Sequence, residues 1–268
     1  MTYRHLVALG SSFAAGPGID PISDRGAMRS ARNYPHLLAE QLGAQLTDLT
    51  VSGATTATIL SKSQRSLRGA KFPPQLDGVP DDADLATVTI GGNDLKYMAG
   101  LIGTSAVGQL RRLPVVGGPT SSLLARLTVP HPNAADFERV ADGIVTITQH
   151  LRARARRVRV VLVDYLTVIG PDARPRADLP LRRSEIEQFR SLGESLADAY
   201  AVAAERTGAD LVKVSELSAT HGLGSSEPWL VGFQHSGSAA PYHPNAAGMQ
   251  AVADAIAAHL DRVPTTRM

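Results

Sequence analysis

Leu6-Val7-Ala8-Leu9-Gly10-Ser11-Ser12-Phe13-Ala14-Ala15-Gly16 is the stretch that decides the fold. An apolar run stops at a glycine, two serines follow, and a second glycine closes the segment. With no polar side chain between Leu6 and Gly10, the run predicts a strand buried on both faces. Gly10 and Gly16 permit a tight turn and a close backbone approach where that strand ends. The hydroxyl of Ser12 is thereby set at the edge where open parallel sheets hold their ligands.

Working outward, the hydrophobic pattern predicts strands at His5–Gly10, Leu46–Val51, Asp84–Ile90, Val158–Asp164 and Ala209–Val214. Helices are expected at Tyr34–Leu42, Ala134–Arg156, Ser184–Thr207 and Pro244–Leu260, with a short one ending near Leu60. Strands that alternate with helices in this way give an α/β fold of three layers, a five-stranded parallel sheet with helices on both faces. No composition break or internal repeat divides residues 1–268, so one domain is expected, with a loose tail from about residue 262. Gly16–Ser30 and Ser61–Pro80 read as loops. Leu95–Pro132 reads as a long irregular connection, and its apolar, glycine-broken part Leu101–Leu127 suits either a lid over an acyl pocket or plain packing.

Composition excludes several classes. Lys and Arg exceed Asp and Glu by 27 to 25, too small a surplus to suggest nucleic acid. The arginines from Arg152 to Arg159 read as a solvated helix end complementing its dipole. No run is long and apolar enough to predict a membrane span. Cysteine is absent, which removes disulfides and thiolate chemistry, and no charged-then-apolar leader precedes the first strand. Together these favour the cytoplasm; removal of a leader would leave secretion open. No His-Glu-x-x-His and no glycine-rich phosphate loop is present, so neither a metal nor a cofactor is expected. The partner expected is a small-molecule or lipid ester.

That expectation comes from the strand ends. Ser11-Ser12, Ser52-Gly53 and Gly91-Gly92-Asn93-Asp94 each follow a strand, so a parallel sheet gathers them along one edge. Tyr242-His243-Pro244-Asn245 precedes the last helix, with Pro244 suited to its first position. These are the parts of an acyl-transfer site. Ser12 supplies the nucleophile and His243 the base. The backbone N–H groups of Ser12 and Gly53 and the side-chain amide of Asn93 supply an oxyanion hole. Ser11 is the alternative nucleophile and His235 the alternative base. His221 and Asp94 are better explained by structure, Asp94 as a cap of the helix after it.

On these residues the sequence resembles the SGNH (GDSL-type) hydrolases. Gly10-Ser11-Ser12 is similar to their first block, Gly53 to the second, Gly91-Gly92-Asn93-Asp94 to the third and His243 to the last. Asn33-Tyr34-Pro35, Val51 to Thr55 and His221 to Trp229 further resemble the actinobacterial lipase branch. The resemblance implies a flavodoxin-like sheet, hydrolysis of carboxylic esters through an acyl-serine, and the same assignment of Ser12, His243, Gly53 and Asn93. Thioesters and acetylated sugars are alternative substrates, and a binding protein that has lost turnover is the alternative of another class. Three departures stand out: Ser11 where most members have aspartate, Ala240 where many have one three residues before the histidine, and no cysteine where secreted relatives carry disulfides. With no acid between Glu227 and Asp254, a main-chain carbonyl, that of Ala240, is expected to orient His243 in a Ser-His dyad.

Overall fold

Leu6, Val7, Ala8 and Leu9 are fully buried in β1, His5–Gly10. Both faces of the strand are covered, which is why its sequence does not alternate. The computed structural model describes residues 3–66, 68–111, 128–233 and 239–262. Four more strands join β1 in a parallel sheet: β2 (Gln45–Asp48), β3 (Leu85–Thr89), β4 (Arg159–Val163) and β5 (Asp210–Val212). Their order is β2-β1-β3-β4-β5. Every pairing is parallel. This is the flavodoxin-like order, and the chain reverses its direction of travel across the sheet between β1 and β3.

The helices are α1 (Ser12–Ala15), α2 (Tyr34–Leu42), α3 (Thr56–Leu60), α4 (Tyr97–Leu110), α5 (Ala134–Arg154), α6 (Arg183–Thr207), α7 (Val214–Leu217) and α8 (Ala246–Arg262). Right-handed crossovers put helices on opposite faces when the chain moves in opposite directions across a sheet. The step from β1 to β2 therefore lays α2 on one face, where α8 packs against it. The later steps run the other way and lay α5 and α6 together on the second face.

The differences from the sequence reading have local causes. Strand β2 ends at Asp48 rather than Val51. The Asp48 carboxylate accepts from the Thr50 N–H at 3.0 Å, the Thr50 hydroxyl at 2.6 Å and the Asn33 amide at 2.8 Å, and so draws the chain into a turn. Ser61–Pro80 contains a short antiparallel ribbon, Gln64–Arg65 with Lys71–Phe72, and a turn of 3₁₀ helix at Gln75–Gly78. The stretch expected to be irregular from Leu95 opens with α4. Its glycines, poor helix formers, answer to packing: a Cβ on Gly100 would lie 2.5 Å from Pro130 and one on Gly108 would lie 1.7 Å from the Pro180 carbonyl. Most of the stretch proposed as a lid, residues 112–127, lies outside the described residues. The last helix starts at Ala246, capped by Asn245 Oδ1 accepting from Gly248 N–H at 2.9 Å. Pro244 therefore precedes the cap instead of opening the helix, and bridges to Leu230.

At Gly10, still paired with Thr89, the main chains of β1 and β3 lie too close for a side chain, because a Cβ there would lie 2.6 Å from the Thr89 carbonyl. Gly10→Ala is expected to lower the unfolding free energy by about 1–3 kcal/mol, measured by urea denaturation. An unchanged midpoint would show that β1 and β3 can part without the contact.

Candidate active site

The turn after β1 separates the two serines. Ser11 stands at the N-cap of α1, its N–H donating to the Thr89 carbonyl at 3.0 Å. Its hydroxyl is buried and lies 3.1 Å from the Tyr165 hydroxyl. Ser12, one residue on, points the other way: its Oγ is 2.7 Å from His243 Nε2. Ser11 is thus tied into the structure, and Ser12 is the serine that meets a base.

His243 is fixed from four sides. Its N–H donates to the Ala240 carbonyl at 3.1 Å, and its carbonyl accepts from Val231 N–H at 3.1 Å. Its ring packs against Phe13 with centroids 5.4 Å apart. Ring Nδ1 meets the carbonyl of Pro241 at 2.8 Å. The expected acceptor was Ala240, whose carbonyl is engaged by the His243 main chain instead; Pro241 takes its place. The chain reverses sharply at Tyr242, a non-glycine residue in the left-handed region at φ 62, so the imidazole folds back on a carbonyl two residues earlier. Tyr242 is held there by full burial and by its hydroxyl, 2.6 Å from Ser105 Oγ, the kind of anchoring that strained backbone needs.

This geometry fixes the tautomer. A carbonyl only accepts, so Nδ1 carries the proton and Nε2 offers its lone pair to the Ser12 hydroxyl. Burial disfavours the imidazolium and lowers the His243 pKa to about 4, against a smaller upward pull from the Pro241 carbonyl. The imidazole is therefore neutral at pH 7, the state a base requires.

The loops after β2 and β3 meet beside the serine. Asn93 Nδ2 donates to the Ala54 carbonyl at 2.9 Å, which leaves its second amide hydrogen for another acceptor. The Asp94 carboxylate accepts from the Thr56 hydroxyl at 2.6 Å and from Thr56 N–H at 3.2 Å. Asp94 thus caps α3, the helix before it in sequence, rather than the helix after it. Gly53 between these ties is exposed and has φ 86. A Cβ there would meet only Gln64 Nε2, at 3.4 Å. Gly53 is accordingly required by its backbone conformation, not by lack of space. The N–H groups of Ser12 and Gly53 reach no acceptor among the described residues.

Of the other candidates, His235 lies outside the described residues. His221 stacks on Trp229 with centroids 3.9 Å apart, its Nδ1 on the Glu227 carbonyl at 2.9 Å. It shapes the loop that leads to His243. Three supporting residues had no sequence signal beyond being polar and apparently in loops or helices. Gln75 clasps Gly10 through both main-chain atoms, at 2.9 and 3.0 Å. Tyr200 does the same for Ile90, at 2.6 and 2.7 Å. Tyr165 accepts from Gly92 N–H at 3.1 Å. Among the described residues no three His, Cys, Asp or Glu are grouped to hold a metal, and no helix is long and apolar enough to cross a membrane.

Tyr165→Phe strips Gly92 N–H and Ser11 Oγ of their shared partner in a buried site. It is expected to destabilise the fold by about 1–3 kcal/mol, read as a lowered melting temperature. A neutral outcome would mean that the Gly92 loop holds its place without the phenol.

Residues 8–251 match the model of the GDSL-like lipase/acylhydrolase family. Over 267 residues the chain is 34% identical to "Lipase 2" of Streptomyces coelicolor, covering 92% of this chain and 83% of that protein. Among solved structures it is similar to the extracellular lipase of Streptomyces rimosus, with TM-score 0.71 and 24% identity over 95% of this chain and 99% of that one. Phospholipase A1 of Streptomyces albidoflavus gives TM-score 0.70 and 21% identity over 94% and 98%. The last two likenesses bear on the fold alone. The extent of the family match, with the lipase relative beside it, places this chain in the GDSL-like lipase/acylhydrolase family, as an SGNH-type hydrolase of ester bonds.

Proposed function

We propose that the chain hydrolyses carboxylic esters through an acyl-Ser12 intermediate, with His243 as the base. The observation that carries this reading is the 2.7 Å contact between Ser12 Oγ and a neutral imidazole presenting Nε2. Oγ attacks the ester carbon as its proton passes to Nε2. The oxyanion that forms is met by the N–H groups of Ser12 and Gly53 and by Asn93 Nδ2. The intermediate collapses, and the Nε2 proton leaves with the alcohol. Water then gives its proton to Nε2, attacks the acyl group, and frees Ser12 as the proton returns to Oγ.

Each oxyanion donor contributes on the order of 3 kcal/mol in related chemistry. The Pro241 carbonyl orients His243 but brings no full negative charge to the imidazolium. In the serine-protease template, disturbing the aspartate lowers turnover by about 10⁴. Turnover here is accordingly expected to be modest, and set by positioning and oxyanion stabilisation more than by the base.

Ser12→Ala is expected to lower kcat on a short-chain p-nitrophenyl ester by roughly 10⁴-fold or more, with an unchanged circular-dichroism spectrum. Because the two groups act as a unit, Ser12→Ala/His243→Ala should lose little beyond either single variant. Turnover that survives Ser12→Ala would end the assignment. The acid limb of kcat/KM follows the histidine. A base works deprotonated, so with its pKa held at about 4 activity should persist through pH 5–6 and fall only near pH 4. A midpoint at the ordinary histidine value of about 6.5, in protein still folded, would show that His243 is hydrated in the working enzyme.

A further inference from the structure

A cleft of about 350 Å³ opens beside the loop that carries His243. Ala240 forms one side of it, Pro17 and Met28 another, and Arg25, Arg68 and Asp20 carry its charge. Hydrogen bonds join it to the site just described. Ala240 N–H donates to the Pro17 carbonyl at 2.9 Å. The hydroxyl of Ser52, the residue before Gly53, donates to the Met28 carbonyl at 3.4 Å. The two bonds set the cleft beside the loops that carry His243 and Gly53.

Its position assigns it to one half of the ester. The departing alcohol must take its proton from Nε2, so the alcohol half lies on the side of His243, and Ala240, whose carbonyl accepts from His243 N–H, lines this cleft. Its charge is also informative. Nearby Arg29 is committed to the Thr50 carbonyl and Asp48, and Arg65 to the Gly69 carbonyl. The side chains of Arg25 and Arg68 are exposed and form no hydrogen bond or ion pair with a described residue, Asp20 included. Two guanidinium groups against one carboxylate leave a positive surplus, and guanidinium suits the planar, bidentate recognition of carboxylate or phosphate oxygens.

We infer that the protein selects esters whose alcohol half carries an anionic group, a carboxylate or a phosphate, which Arg25 and Arg68 engage in this cleft. The inference rests on the catalytic reading above and adds the substrate class to it. The test compares kcat/KM for 4-butyryloxybenzoate and 4-butyryloxyphenyl phosphate with that for the neutral 4-butyryloxybenzamide. Two exposed charge pairs predict that Arg25→Ala/Arg68→Ala lowers the anionic-to-neutral ratio about tenfold. Raised salt should lower the same ratio in the wild type. All three esters react at Ser12, so general damage cancels in the ratio, and the order of the two anions assigns the group preferred. A ratio equal in wild type and double variant overturns the inference while leaving the esterase intact. If wild type cleaves none of the three, the catalytic reading fails instead. The subsite is then judged by calorimetry of 4-butyryloxybenzoate on wild type and double variant: weaker binding to the variant supports it, and equal or absent binding overturns it.

Discussion

Two neighbouring strands of a parallel sheet must part at their carboxyl ends to make room for a site, and the main-chain groups that part can no longer pair with each other. Buried and unpaired, each costs about 1–3 kcal/mol, which a fold of ordinary stability tolerates only rarely. Here the β1–β3 ladder runs on to the Ser11 N–H bond with the Thr89 carbonyl, and side chains meet the main-chain groups that strand partners leave at the ends of β1 and β3. Gln75 serves Gly10, Tyr200 serves Ile90 and Tyr165 serves Gly92. Tyr34 adds a contact to Thr89 Oγ1 at 2.9 Å, and all three tyrosines are buried. The site edge is therefore a scaffold of neutral hydrogen bonds whose geometry is set before any substrate arrives.

The same neutrality accounts for the two missing acids. Ser11 stands where the family resemblance implies an aspartate, and a carboxylate there would be buried beside Tyr165. Its hydroxyl shares the phenol with Gly92 at no cost in desolvated charge. At the histidine, the Pro241 carbonyl does what orientation requires and no more. A buried imidazole facing a carbonyl is a weak base, with its pKa near 4. What it offers instead is a fixed tautomer and a short reach to Ser12. In the mechanism proposed above, catalysis therefore leans on preorganised donors. The ties from Asn93 to Ala54 and from Asp94 to Thr56 hold the loops that carry Gly53 and Asn93 to each other.

Much of this was legible in the sequence, for reasons that can be named. The run from Leu6 to Leu9 has no polar residue because both faces are buried. Helix α2 begins and ends where Asn33 and Gly43 say it should, the first capping His36 N–H at 3.1 Å and the second adopting φ 61. Ser12, Gly53, Asn93 and His243 each follow or precede a regular element, so their edge of the sheet follows from topology. The illegible parts depend on contacts between residues far apart in the chain. Gln75 and Tyr200 look like a loop glutamine and a helix tyrosine until the strands they serve are in place. Helix α4 is hidden by glycines that exist for the sake of Pro130 and Pro180. The choice between the carbonyls of Ala240 and Pro241 turns on one dihedral, that of Tyr242, which no composition or spacing encodes.

That dihedral also links the base to the rest of the molecule. The left-handed turn at Tyr242 is unfavourable for a bulky side chain, so it persists only because packing and hydrogen bonding hold it. Ser105, which binds the Tyr242 hydroxyl, sits in α4; Val231, which accepts from its N–H at 2.9 Å, sits in the loop after Trp229. The position of the imidazole is thus decided by a helix following β3 and a loop following β5, elements that share no strand with Ser12. A change that loosens α4 against Tyr242 would relax the turn and move Nδ1 off Pro241 without touching Ser12 or His243. With no carboxylate to draw the ring back, the alignment of Nε2 with Ser12 depends on that distant packing more than it would in a relative that keeps its aspartate.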